Sequence, residues 1–102
     1  LKTLADQGVR IAMGTDSGPP GRFQGFFEHL EMEMMADAGM TPMQVIVSAT
    51  GDAARCHQNT DLGVLAPGRV ADMLVLGANP LENIRNLRSI EQVWIGGRRI
   101  AR

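Results

Sequence analysis

The chain has 102 residues, the size of one small domain, and 44% of them are hydrophobic, which is enough for an apolar core. Its formal net charge is −1 and its basic residues are scattered except at the C-terminal end, so we expect no nucleic-acid partner. A single cysteine excludes an internal disulfide and fits a reducing cytoplasm. No apolar run approaches the ~20 residues that span a bilayer, so we expect no membrane partner.

The first elements form a helix-turn-strand pattern. Residues 1–7 are typical of the end of a helix closed by Gly8, and residues 9–13 predict a buried strand. Because the chain starts in mid-helix, we expect it to be part of a longer protein. No strand precedes residues 9–13 and helical sequence follows them, so this strand lacks an obvious partner. It either pairs with the β segments of the second half or belongs to a barrel whose other strands lie upstream.

An amphipathic helix is predicted after a loop at residues 17–22. Its acidic residues separate apolar positions at helical spacing, and Gly39 ends it. The apolar positions are Phe23, Phe26, Phe27, Leu30, Met34 and Ala38. The methionines of this region are interpreted as core side chains, namely Met32, Met34, Met35, Met40 and Met43.

A second helix is predicted from the capping pattern that follows. Thr41 is a suitable N-cap, Pro42 suits the first helical position, and Gln44 lies at capping-box spacing. We expect this helix to run to about Ala49.

A third, short helix is predicted to start at Thr50 or Gly51, with Asp52 in its first turn, and to fray at residues 57–59. Cys56 is interpreted as a small buried apolar residue rather than a nucleophile. His57 is interpreted as a surface residue rather than a metal ligand.

The pattern changes after residue 60 to short β-like runs separated by turns. Strands are predicted at residues 73–76 and 90–95, and a Gly-Gly pair at residues 96 and 97 indicates a hairpin. Asn79 begins a second capping-box pattern, which predicts a short helix or turn over residues 80–87. We therefore predict two units, at residues 1–60 and 61–102.

The strongest chemical signal lies at residues 11–18, where an apolar run ends in a carboxylate flanked by glycines. This arrangement presents Asp16 at the C-terminal end of a strand, where reacting groups collect in α/β folds. Taken alone, an aspartate in a loop rich in glycine and proline also suits an Asx turn or a helix cap.

Four blocks in order resemble the C-terminal end of metal-dependent amidohydrolases, closest to their imidazolonepropionase-like and prolidase-like branch. The blocks are Gly-Thr-Asp-Ser-Gly at residues 14–18, the methionine-rich acidic segment at residues 29–42, Ala-Thr and Ala-Ala-Arg within residues 49–55, and the turn-rich segment at residues 63–72. Together they cover nearly the whole chain.

The resemblance implies an α/β fold: the C-terminal part of a TIM-type (β/α)8 barrel, with strand eight and the helices that follow in residues 1–60. Residues 61–102 would supply the C-terminal strands of a small β-sandwich. Asp16 matches the aspartate that in this family contacts a divalent metal, zinc or similar with one or two ions, and handles the proton of the attacking water. The substrate would be a small-molecule amide, cyclic amide or dipeptide.

Three further residues are candidates for substrate binding. Ser17 is suited to orient the carboxylate or to contact substrate, and Arg22 is suited to receive a substrate carboxylate, although it also fits a solvated loop position. His29 either lies near the pocket, as the resemblance implies, or is a helix-surface histidine paired with Glu33.

The remaining metal ligands of such enzymes lie on strands that this chain does not contain. One aspartate does not hold zinc firmly, since catalytic sites use three protein ligands, so we expect the isolated chain to be inactive until the missing N-terminal barrel segments join it. Two alternatives remain: a non-catalytic structural or binding module, or one subunit of a split hydrolase. A homo-oligomer is also compatible with the sequence.

Overall fold

A computed structural model describes residues 1–16 and 25–100. The helices are α1 (Lys2–Asp6), α2 (Phe26–Asp37), α3 (Pro42–Ala49) and α4 (Gly51–Cys56); the strands are β1 (Met73–Leu76), β2 (Ile90–Ile95) and β3 (Arg98–Ile100), and a 3-10 helix spans Ile84–Arg88. The chain is thus a small α/β unit with a three-stranded sheet. Within the described residues, no helix combines the length and the apolar character needed to cross a membrane.

The predicted cap of α3 is confirmed. The backbone N–H of Gln44 donates to Thr41 Oγ1 at 3.2 Å, and the N–H of Thr41 donates to Gln44 Oε1 at 2.9 Å. Pro42 occupies the first turn, where its missing N–H has no intrahelical partner to lose. These bonds satisfy donors that a helix start leaves open and are worth about 1 kcal/mol.

The predicted amphipathic helix is confirmed as α2, but its buried side differs from the prediction. Phe23 lies outside the described residues. Met35 and Met40 are buried, whereas Met34 is 58% and Met43 is 53% exposed, so core positions for these two are wrong. Because α2 packs against α3 and the 3-10 helix together, the buried stripe passes through Met35 instead of Met34.

The second half confirms the predicted strands. The sheet order is β1-β2-β3 with both pairs antiparallel, and Met73 faces Trp94 while Val93 faces Ile100. The Gly96-Gly97 turn has φ of 58° and 80°, the left-handed values that a two-residue hairpin of this type requires.

The segment predicted as a short helix or turn at residues 80–87 is a turn followed by the 3-10 helix. Asn79 Oδ1 accepts from the N–H of Leu81 at 2.9 Å, which closes an Asx turn rather than a helix cap. Asn83 Oδ1 accepts from the N–H of Arg85 at 2.9 Å and caps the 3-10 helix. The helical part therefore starts later than Asn79 indicated.

Residues 9–13 do not pair with the β segments of the second half, so that alternative is wrong, whereas pairing with barrel strands upstream stays a prediction. The segment forms no sheet ladder within the part of the chain described, and Val9 is 49% exposed. Its neighbour is a helix instead of a strand, because the N–H of Met13 donates at 3.1 Å to the carbonyl of Ser48 near the end of α3. Ile11 and Met13 nevertheless pack against the core, as the alternation of an extended chain would place them.

A cluster of four buried side chains links the two halves of the chain: Met35, Met40, Val45 and Ile84. The first three come from α2, α3 and their connection, and Ile84 comes from the 3-10 helix beyond residue 60. A boundary near residue 60 stays a prediction, but these contacts cross it.

The end of α4 corrects the interpretation of Cys56. The helix begins at Gly51 as predicted, yet none of its residues is buried, and the free Cys56 at its end is exposed. A six-residue helix at the edge of the fold has no second layer to cover its last turn. His57, the next residue, is exposed as predicted.

We expect Gly63→Ala to destabilise the chain more than Gly68→Ala. Both glycines have left-handed φ, 90° and 82°, which costs an alanine about 1–2 kcal/mol. A Cβ at Gly63 would also lie 2.8 Å from the carbonyl oxygen of Thr50, whereas one at Gly68 meets nothing within 4 Å.

Chemical denaturation of both variants measures this difference. Because the conformational penalty is shared, Gly68→Ala is the matched control, and an excess loss for Gly63→Ala of about 1 kcal/mol or more is expected from the clash with backbone. Equal losses of unfolding free energy in the two variants would contradict the close packing of Gly63 against the start of α4.

Candidate active site

Asp16 lies at the end of the extended segment that packs against the core. Its side chain is exposed, and its backbone has φ of 53°, in the left-handed region. Aspartate and asparagine tolerate this conformation better than other non-glycine residues. Residues 17–24 lie outside the described residues, so the alternative interpretation of Asp16 as part of an Asx turn or a helix cap stays a prediction.

The residue before Asp16 is held by the first turn of α2. Thr15 Oγ1 donates to Glu28 Oε1 at 3.0 Å, a part-buried bond between residues 13 positions apart. The other carboxylate oxygen, Glu28 Oε2, accepts from the backbone N–H of Gly25. One carboxylate therefore joins the end of the extended segment to the start of the helix.

Sequence reasoning missed Glu28. Gly25 and Glu28 stand three residues apart, at the spacing of an N-cap residue and a glutamate that reaches back to it. This spacing could have indicated the role of Glu28. It was missed because the helix was predicted to begin near Phe23, which places Glu28 beyond its first turn.

His29 is half-buried in α2, directly after Glu28. The expected pairing with Glu33 is replaced by arginines, because Arg88 Nε donates to Glu33 Oε1 at 2.6 Å and Arg85 Nε lies 4.0 Å from Glu33 Oε2. His29 makes the smallest contribution to the low pKa of Glu33. A role of His29 near a substrate stays a prediction.

Ser17 and Arg22 lie outside the described residues, so their predicted roles also stay predictions. Of the four predicted site residues, the structure describes Asp16 and His29. The Thr15–Glu28 bond brings the sequence neighbours of these two residues together.

A metal centre is not assembled within residues 1–16 and 25–100. No three histidine, cysteine, aspartate or glutamate side chains come together there at a distance suited to one ion. The carboxylate of Asp16 is chemically suited to be one ligand, but a catalytic zinc site needs about three from protein.

An open apolar groove of about 720 Å³ runs between α3, α4 and β1. Its walls include Ile46, Ala53, Leu62, Met73 and Leu76. Among the described residues, 15 large apolar side chains are exposed, including Leu65 at 69%.

Comparison with known proteins identifies the family. The profile of the amidohydrolase family matches residues 1–100. The chain belongs to the amidohydrolase family. Imidazolonepropionase of Rhodococcus jostii is 33% identical over 99 residues, which are 94% of this chain and 24% of that protein. Ochratoxinase of Aspergillus niger is 36% identical over 97 residues, which are 89% of this chain and 19% of that protein.

Solved structures of amidohydrolase-fold proteins superpose on nearly the whole chain. Phenylurea hydrolase B matches with a TM-score of 0.89 and 27% identity, over 99% of this chain and 26% of that one. A Xaa-Pro dipeptidase with bound methionine in its active site matches with a TM-score of 0.83 and 30% identity, over 99% of this chain and 24% of that one. This amidohydrolase chain thus spans about a quarter of the length of the relatives it matches.

The Glu33–arginine cluster predicts a pH dependence of stability. The hydrogen bond from Arg88 holds the pKa of Glu33 below its ordinary value of 4.5, against the opposing effect of partial burial. A carboxyl whose pKa is lowered by folding adds stability above its unfolded pKa, and that stability is lost as the pH falls through the folded pKa. The loss should therefore begin near the ordinary value and continue below it.

Urea unfolding of Glu33→Gln between about pH 6 and pH 3 tests this effect. We expect a lower unfolding free energy at pH 6 and a flatter acid limb than in the unmodified chain. Arg88→Ala should flatten the acid limb more than Arg85→Ala, because only Arg88 donates a short hydrogen bond. Parallel acid limbs for all four proteins would contradict the assignment.

Proposed function

We propose that this chain is the C-terminal part of a metal-dependent hydrolase that cleaves a carbon–nitrogen bond in a small-molecule amide, cyclic amide or dipeptide. The family match over residues 1–100 carries the proposal. Relatives named imidazolonepropionase, ochratoxinase and Xaa-Pro dipeptidase are hydrolases that act on such bonds.

We propose Asp16 as the catalytic acid and base. Members of this superfamily are generally metal-dependent, and a bound divalent cation lowers the pKa of water and polarises a carbonyl. Asp16 accepts the proton of the attacking water and passes it to the leaving nitrogen, a role that suits an exposed carboxylate at the end of a held segment.

In this proposal, residues outside this chain supply the other ligands of the metal site. Asp16 supplies one oxygen ligand, and the described residues bring no second and third donor to it. Ser17, Arg22 and His29 are proposed to contact substrate beside it. The identity of the ion, zinc in our proposal, depends on the donors that the rest of the protein contributes.

The exposed apolar side chains support the proposal that further segments of a longer protein pack against this chain. Over the described residues, four hydrophobic side chains are buried and 15 large apolar side chains are exposed. We propose that residues 9–13 form barrel strand eight once a neighbouring strand pairs with them, and that β1–β3 form the C-terminal strands of a β-sandwich.

In the intact protein that carries this sequence, we expect Asp16→Asn to lower kcat by about 100-fold to 10,000-fold, the usual contribution of a positioned acid or base. Asparagine also tolerates a left-handed backbone, so the change removes the carboxylate with little strain. Hydrolysis of N-acyl amino acids, cyclic amides, Xaa-Pro dipeptides and phenylureas measures the activity.

Asp37→Asn is the control, since Asp37 is an exposed carboxylate at the end of α2 and should leave kcat unchanged. Full activity of Asp16→Asn would exclude the proposed role. An intact protein that hydrolyses none of these substrates would favour the structural or binding module instead.

The 102-residue chain alone should retain almost no zinc after incubation and desalting, because one carboxylate ligand does not hold the ion. Metal content by mass spectrometry measures this. Retention near one zinc per chain would contradict a site completed elsewhere, and Asp16, His29 and His57 would then be the ligands to replace.

A further inference from the structure

We propose that Glu28 and Thr15 are positioning residues for Asp16. The inference rests on the proposed function of Asp16 and adds to it the pair of side chains that fixes its backbone. Thr15 Oγ1 donates to Glu28 Oε1 at 3.0 Å, and Thr15 is bonded covalently to the residue that carries the reacting carboxylate.

The geometry explains why a fixed backbone is needed at this point. Asp16 holds φ of 53°, a conformation that an L residue adopts at a cost unless its surroundings enforce it. The segment before it has no sheet ladder within the described residues, where the N–H of Met13 donates to the carbonyl of Ser48 in α3. Two residues beyond Met13, the hydroxyl of Thr15 adds a further contact with the helical part of the fold, to Glu28 in α2.

Glu28 is well placed to accept the hydrogen bond from Thr15. It lies in the first turn of α2, and its second oxygen accepts from the N–H of Gly25, so the carboxylate is held from two directions. Because the Glu28 side chain is fixed at the start of α2, its hydrogen bond fixes the position of Thr15 relative to this helix. The backbone of Asp16, the next residue, is fixed in turn. Neither residue contacts the reacting atoms in this proposal.

A positioning role has a kinetic signature. A carboxylate that moves a proton in the transition state loses rate when it is displaced, while the ground-state contacts of the substrate persist. Misplacement by about 1 Å from a change away from the reacting atoms costs about 100-fold in rate. Loss of the Thr15–Glu28 bond should therefore lower kcat and leave KM nearly unchanged.

The test uses the intact protein with Thr15→Val, Thr15→Ser, Glu28→Ala and Glu28→Asp. Valine keeps the shape of threonine without its hydroxyl, and serine restores the hydroxyl. We expect kcat to fall about 10-fold to 100-fold in Thr15→Val and Glu28→Ala with KM within about 2-fold, and to recover in Thr15→Ser. The double variant Thr15→Val with Glu28→Ala should be no slower than the slower single variant, because both remove the same bond.

Thr41→Val is the matched control, since it also removes a threonine hydroxyl from a cap bond, the one to Gln44, but at α3. It should lower thermal stability and keep kcat per folded molecule. If Glu28→Ala does not fold, Glu28→Asp decides the question, because its shorter carboxylate cannot reach Gly25 and Thr15 together and should lower kcat in a folded protein.

The outcomes separate this inference from the proposed function. Activity that survives Asp16→Asn overturns the proposed role of Asp16, on which the positioning role rests. Activity that is lost in Asp16→Asn but keeps its kcat in Thr15→Val and Glu28→Asp overturns the positioning role alone. An equal loss in Thr41→Val and Thr15→Val, or no recovery in Thr15→Ser, also overturns it, because the effect would then come from general destabilisation.

Discussion

The described structure depends on the burial of Val45, a residue of α3 that lies in one cluster with side chains of α2 and the 3-10 helix. Val45 is 0% exposed, and Met35, Met40 and Ile84 close around it from three different parts of the chain. Dispersion contacts and removal of apolar area from water make such a cluster the main favourable term available to so short a chain. The extended segment that carries Asp16 is fixed to this cluster through Ile11 and Met13, so the position of the candidate site follows from the core.

The C-terminal end of α3 also contacts the extended segment that carries Asp16, and this contact connects the core to the candidate site. The last four carbonyls of a helix have no intrahelical donor. Here Thr50 Oγ1 donates to the carbonyl of Ile46 at 2.7 Å, and the N–H of Met13 donates to that of Ser48 at 3.1 Å. The extended segment therefore supplies a donor to a helix end, which fixes its position although no strand among the described residues pairs with it.

Local signals in the sequence predicted the parts of the fold whose hydrogen bonds close within a few residues. Thr41 with Gln44 fixed the start of α3, and the Gly96-Gly97 pair fixed the hairpin. Local signals did not predict contacts whose two partners lie far apart in the sequence. Met34 and Met35 are indistinguishable by spacing until the direction of α3 and the 3-10 helix is known, and the strand predicted at residues 9–13 needed a partner that the sequence does not reveal.

The same distinction applies to the site. Asp16 could be proposed from the sequence because the apolar run that ends in Gly-Thr-Asp is a local signal, whereas the bond from Thr15 to Glu28 spans 13 positions and appears only in three dimensions. A threonine hydroxyl and a glutamate in a helix start are each ordinary by themselves. Their contact places the first turn of α2 next to the residue before Asp16. In the proposed role, the Asp16 carboxylate would need such support, because proton transfer requires short, aligned approaches.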